Sequence, residues 1–140
     1  MKKITIGEAA RKSGVKVPTI RYYEGIGLLR EPSRSDGNQR SYEQSDLNRL
    51  TFIRHARELG FEVEAIRALL SLQDNPLQSC ASADAIAKAR LIEVEQRIRS
   101  LMALKAELEM MVEGCGHGRV DQCRVIEVLA DHAQCTHHGH

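Results

Sequence analysis

Tryptophan is absent from this 140-residue chain, and aromatic residues make up only 4% of it, two Phe and three Tyr. A core built from it must therefore rest on Leu, Ile, Val and Ala. Proline occurs only at Pro18, Pro32 and Pro76. No apolar run approaches the roughly 20 residues needed to span a bilayer, so no membrane partner is expected. No apolar leader follows Met1-Lys2-Lys3, which points to the cytoplasm. Thiols stay reduced there. The four cysteines, Cys80, Cys115, Cys123 and Cys135, are better read as ligands or reactive thiols than as disulfides. No internal repeat is visible, and no low-complexity segment precedes the His-rich tail.

A large net charge is missing too, but the overall +1 hides an asymmetry. Residues 1–60 carry 12 Lys and Arg against 7 Asp and Glu, a net +5, whereas residues 61–140 carry 8 against 12, a net −4. The basic first half suits a polyanion such as nucleic acid, although an ordinary basic surface would also look like this.

Local signals punctuate the first half into helices. Thr5 can cap a helix over 6–13, with Glu8 placed as in a capping box and Gly14 as the stop. Pro18 suits the first turn of a second helix, which Gly25 and Gly27 end. Two short helices around a tight turn predict a helix-turn-helix. Asp36-Gly37-Asn38 is a turn signal inside residues 30–42, which read as a two-stranded wing with Arg34 and Arg40 on its arms. Further helices are expected over 45–59, with Leu47, Leu50, Ile53 and Ala56 on one face, and over 63–72, with Ile66, Leu69 and Leu70 inward.

Neither Gly nor Pro occurs from 80 to 113. This predicts a single helix of about 34 residues, near 50 Å long. Leu91, Val94, Ile98, Leu101, Lys105, Leu108 and Val112 recur at spacings of three and four. Only Lys105 departs from an apolar seam. It is too long to bury against so small a domain and reads as a coiled coil with a second copy of the chain. The expected fold is mainly α, with a winged helix-turn-helix over 1–75, a dimerisation helix over 76–113, and a metal-binding loop, short helix and Cys/His tail over 114–140.

The residues expected at double-stranded DNA are Thr19, Arg21, Tyr22 and Tyr23 on the second helix and Arg34, Asn38, Arg40 and Tyr42 on the wing. Arg forms forked hydrogen bonds to phosphate or guanine edges, and Tyr hydroxyls tie phosphates and fix register. The alternative for this helix is that Ile20 and one of the two Tyr fill the core.

Thr5-Ile6-Gly7-Glu8-Ala9-Ala10, Thr19-Ile20-Arg21-Tyr22-Tyr23-Glu24, Gly27-Leu28-Leu29 and the stretch from Arg34 to Tyr42 resemble the N-terminal signature of MerR-family regulators. Leu50-Thr51-Phe52-Ile53-Arg54 and Leu59-Gly60-Phe61 continue the likeness. The resemblance implies a homodimer joined by an antiparallel coiled coil. Such a dimer sits on a promoter whose spacer is too long, and effector binding untwists that DNA so that RNA polymerase can open it.

Cys115 and Cys123 flank a short Gly-rich loop that contains His117, and two thiols closing one loop can grip a soft or borderline cation. Cys80 lies at the far end of the long helix and cannot reach its own loop. In the antiparallel dimer that the resemblance implies, Cys80 of one chain meets Cys115 and Cys123 of the other. A cysteine at this place is similar to what the family's zinc, cadmium, lead and mercury sensors carry, whereas the copper sensors carry Ser. Zinc is favoured, then cadmium or lead, with mercury or copper(I) as alternatives within the family. Zinc usually takes four ligands. His117 can be the fourth, or it can be a solvated loop residue. Cys135, His137, His138 and His140 can form an auxiliary site, or they can be a plain chain end. A thiol enzyme using Cys115 and His117 lacks an orienting third partner, and a metal-trafficking protein has no use for residues 1–60, so no enzyme is expected.

Overall fold

Local caps and stops set the chain on its path. In the computed structural model, which describes residues 4–34, 40–114 and 118–131, Thr5 Oγ1 accepts the backbone N–H of Glu8 at 3.2 Å and opens helix α1, Ile6–Ser13. Gly14 closes it at φ +78°, a left-handed conformation that favours glycine. Helix α2, Val17–Gly25, has Pro18 in its first turn, where a missing N–H costs nothing. A short antiparallel hairpin follows: β1, Ser33–Arg34, pairs with β2, Arg40–Ser41, with Arg34 opposite Arg40. Tyr42 then bridges back to Ile4, its N–H donating to the Ile4 carbonyl at 2.9 Å. The N-terminal segment thus buttresses the wing, a pairing that no local sequence signal announced.

Helices α3, Gln44–Glu58, and α4, Val63–Gln73, complete the first unit, which spans Met1–Ala87. Its centre is formed by the fully buried Ile20, Leu28, Leu50, Ile53, Ile66 and Leu70. Each such side chain contributes roughly 1.5–3 kcal/mol of burial. Charged hydrogen bonds hold the segment after α2 onto this core. Arg49 Nε donates to the Leu28 carbonyl at 2.9 Å, and Arg67 Nη2 donates to the Ile26 carbonyl at 2.8 Å. Arg30 forks onto Asp46 through two hydrogen bonds of 3.1 Å. Those bonds and the neighbouring negative charge raise the Arg30 pKa further above its ordinary value. Asp46 also accepts the Glu43 N–H at 2.8 Å at the start of α3, where a negative charge favours the helix dipole.

Helix α5 runs from Ala81 to Glu113, 33 residues. The second unit, Lys88–His140, contains most of it, followed by a 3₁₀ turn, Val120–Gln122, and helix α6, Arg124–Ala130. Met111 and Val128 are the buried apolar residues described in this unit. Leu91, Ile98, Leu101, Leu108 and Val112 of the expected seam are exposed along a single chain. Leu101, Leu104, Leu108 and Val112 line an open apolar groove beside Lys105. Among the described residues, no helix is long and apolar enough to cross a membrane.

Candidate nucleic-acid interface and metal site

Helix α2 divides its residues sharply. Ile20 is fully buried and Tyr23 is 7% exposed, while Tyr22 is 56% exposed and Arg21 also faces outward. Residues 20 and 23 share a face at a spacing of three, so Ile20 anchors α2 and Tyr23 joins it in the core. Of the two readings of this helix, the one in which Ile20 and one Tyr fill the core holds for Tyr23, whose ring supports the helix from behind. The two tyrosine rings sit 5.9 Å apart, tilted by 50°. Thr19 is half-buried and lines a shallow hollow with Lys16, Arg54 and Arg57. Sequence reasoning did not single out these three cations. Their signal was a basic residue just ahead of α2 and two near the end of α3.

The wing residues also divide. Arg40 Nη1 meets Glu24 Oε1 at 2.6 Å, and the Tyr42 hydroxyl donates to Glu24 Oε2 at 2.9 Å. Tyr42 is buried. Its phenol is pushed up to about 12, first by desolvation and then by the Glu24 carboxylate beside it. Arg40 and Tyr42, both expected at DNA, thus meet Glu24 inside the unit. Arg34 stands opposite Arg40 in the hairpin. Asn38 lies outside the described residues.

Of the metal candidates, Cys80 and Cys123 are among the described residues. Cys80 is an exposed thiol. Its carbonyl accepts the Asp84 N–H at 2.9 Å, which places it immediately before the helix. Cys123 is half-buried, and its carbonyl accepts the Glu127 N–H at 2.9 Å as α6 begins. Cys115, His117, Cys135, His137, His138 and His140 lie outside the described residues. Among the described residues, no three His, Cys, Asp or Glu side chains gather into a metal cage. The ends of the 115–123 loop are nevertheless brought together. A Cβ placed on Gly114 would lie 2.5 Å from Cγ and 2.9 Å from Cβ of Arg124. These are near-backbone atoms that cannot swing aside cheaply. Glycine at 114 is thus a packing requirement, which the sequence shows only as the residue ending the long helix.

Comparison with known proteins agrees with this architecture. Residues 4–73 match the family model described as MerR HTH family regulatory protein, and residues 47–111 match the model described as MerR, DNA binding. The chain is 41% identical over 131 residues to the HTH-type transcriptional regulator HmrR of Rhizobium leguminosarum bv. viciae, covering 93% of this chain and 100% of that one. It is 40% identical over 138 residues to the HTH-type transcriptional regulator ZntR of Escherichia coli K12, covering 96% and 97%. The crystal structure of the transcription regulator PbrR691 from Ralstonia metallidurans CH34 in complex with lead(II) superposes with a TM-score of 0.78 at 37% identity, over 90% of this chain and 98% of that one. These relatives are regulators, not enzymes, and the chain belongs to the MerR family of helix-turn-helix transcriptional regulators.

Proposed function

We propose that this regulator binds promoter DNA as a homodimer and activates transcription of metal resistance or efflux genes when a divalent metal ion binds. Zinc is favoured, with cadmium or lead next. Residues 1–75 read DNA, 76–113 dimerise and 114–140 sense the ion.

The observation that carries the sensing half is the contact of Gly114 with Arg124. Gly114 immediately precedes Cys115, and Arg124 immediately follows Cys123. The chain's own packing thus brings the residues flanking the two cysteines together, which supports a loop that loses little ordering entropy when it takes an ion. The third thiol comes from across the dimer. A helix of 33 residues spans about 50 Å, which keeps Cys80 from its own loop. In an antiparallel pair, the partner subunit's Cys80 stands beside Cys115 and Cys123. Three thiols with His117 suit a tetrahedral zinc site, and the lead(II) complex of PbrR691 supports a borderline-to-soft divalent ion.

A bound ion supplies a tie between thiolates of two chains. Each loop then holds the start of the other chain's α5, and with it the DNA-binding unit to which that helix leads. This shift distorts the promoter for RNA polymerase. On the DNA side, Arg21 and Tyr22 stand exposed on α2, and Arg34 sits on the wing. Transcription in vitro, from a promoter selected by the wild-type protein, tests the reading with titrations of zinc, cadmium, lead, mercury and copper. Activation should begin at the lowest free concentration of zinc. Activation by copper alone, or by none of the five, would contradict it.

A further inference from the structure

Glu24 is an expensive residue where it stands. Its carboxylate is only 6% exposed, so its charge has left water, at a cost of several kcal/mol for an unpaired ion. It also lies in the last turn of α2, which ends at Gly25, where the helix dipole disfavours a negative charge. Asp46 makes the opposite case, a buried carboxylate at a helix start, where the dipole favours it. A polar or apolar residue at 24 would serve stability at least as well, since buried ion pairs seldom outdo well-packed neutral groups.

What Glu24 alone provides is a rigid joint. Its two oxygens take separate partners from β2 and the residue after it: Arg40 Nη1 at 2.6 Å and the Tyr42 hydroxyl at 2.9 Å. The backbone of Arg40 stands opposite that of Arg34 across the hairpin. Tyr42 bridges to Ile4, just ahead of α1. A single carboxylate therefore fixes the root of the wing to the end of the helix that carries Arg21 and Tyr22.

We infer that Glu24 is a positioning residue for DNA recognition, locking wing and recognition helix into one rigid reading head, and that Arg40 acts through Glu24 rather than on DNA. The inference rests on the DNA-binding reading above. With the joint intact, both elements meet their groove and phosphates together, and no ordering of the wing is required on binding. With it loosened, the helix still docks while the wing no longer grips the phosphates.

The test uses full-length protein and a duplex selected from a random-sequence pool by the wild type. Glu24→Gln keeps the shape but removes the charge, replaces one accepting oxygen with a donating amide and so loses the ion pair with Arg40. Its far-UV circular dichroism should match the wild type, while its affinity falls about tenfold, the equivalent of one charged hydrogen bond. The slope of log affinity against log salt should shrink by about one for each phosphate that the protein ceases to neutralise. A merely structural role would lower the melting temperature and leave that slope alone. Glu24→Gln with Arg40→Gln should bind no worse than Glu24→Gln, because the second change removes a partner already disengaged. If Glu24→Gln does not fold, Tyr42→Phe, which removes one bond and keeps the ion pair, should show a smaller fall in affinity and in slope. Wild-type affinity and slope in the variant that folds would overturn the inference, as would additive losses in the double variant, which would put Arg40 on the DNA. Failure of the wild type to select any duplex would instead overturn the DNA-binding reading.

Discussion

The two units of this chain solve burial in opposite ways. The first gathers six fully buried aliphatic side chains from α2, the following loop, α3 and α4, and ties its loops down with arginine. The second offers only Met111 and Val128 as buried apolar residues among those described, while Leu101 is 59% and Leu108 is 59% exposed. The difference teaches where cooperativity must come from. The first unit has a core of its own. The second leaves its long apolar helix exposed along a single chain, as the proposed dimer requires, since an isolated helix draws most of its stability from packing.

The sharpest break of this contrast is a charge in the seam. Leu101→Asp should cost several kcal/mol in a dry interface and yield a monomer or an unfolded chain. Light scattering that found a folded dimer would end the coiled-coil account. The complementary break is Leu50→Ala in the first unit. It should cost about 2–5 kcal/mol in denaturant unfolding and leave the dimer intact in whatever fraction remains folded. A change in dimer affinity with stability untouched would mean that the two units are not separate in their energetics.

A smaller effect sharpens the contrast within the second unit. Gly114→Ala drives a methyl group into the Arg124 stem, so the loop ends must part. Zinc affinity should fall by about tenfold, the equivalent of 1.4 kcal/mol, with helicity and DNA binding unchanged. Unaltered zinc affinity by competition with a chelator would remove the packing argument for a preformed loop. The smallest effect belongs to Tyr42. Its phenol titrates at about 12 in the fold against an ordinary 10.0, so folding favours the neutral form. That contribution is whole below about pH 10 and is lost as pH rises towards 12. Difference absorbance between the wild type and Tyr42→Phe should show this tyrosine ionising near pH 12. Ionisation near 10 in the folded protein would contradict its burial beside Glu24.

Much of the fold was legible because its signals are local. Gly14, Pro18 and Gly60 mark helix ends within a residue or two, and Leu50, Ile53 and Ile66 declare their faces by spacing. The long uninterrupted stretch before Gly114 announced α5. The site was less legible. Glu24 meets Arg40 and Tyr42 from 16 and 18 residues away, and nothing in the spacing of these residues reveals that they converge. The same holds for Arg49 and Arg67 on the carbonyls of Leu28 and Ile26. That one Tyr joins Ile20 in the core was legible; that it is Tyr23 follows from its spacing of three from Ile20 on one helix face, while Tyr22 is exposed. The packing of Gly114 on Arg124 depends on how the chain turns back after α5, which the Gly-rich loop leaves open.

The central claim is that each metal site is built from two chains, and mixed dimers test it most directly. One chain carries Cys80→Ser, and its partner carries Cys115→Ser with Cys123→Ser. The account predicts one intact site, formed by the first chain's loop and the partner subunit's Cys80, and one site with no cysteine ligand. Equilibrium dialysis should therefore find one zinc ion per mixed dimer bound with wild-type affinity. A mixed dimer with no site of that affinity would contradict the account, because a site built within one chain is damaged in both halves.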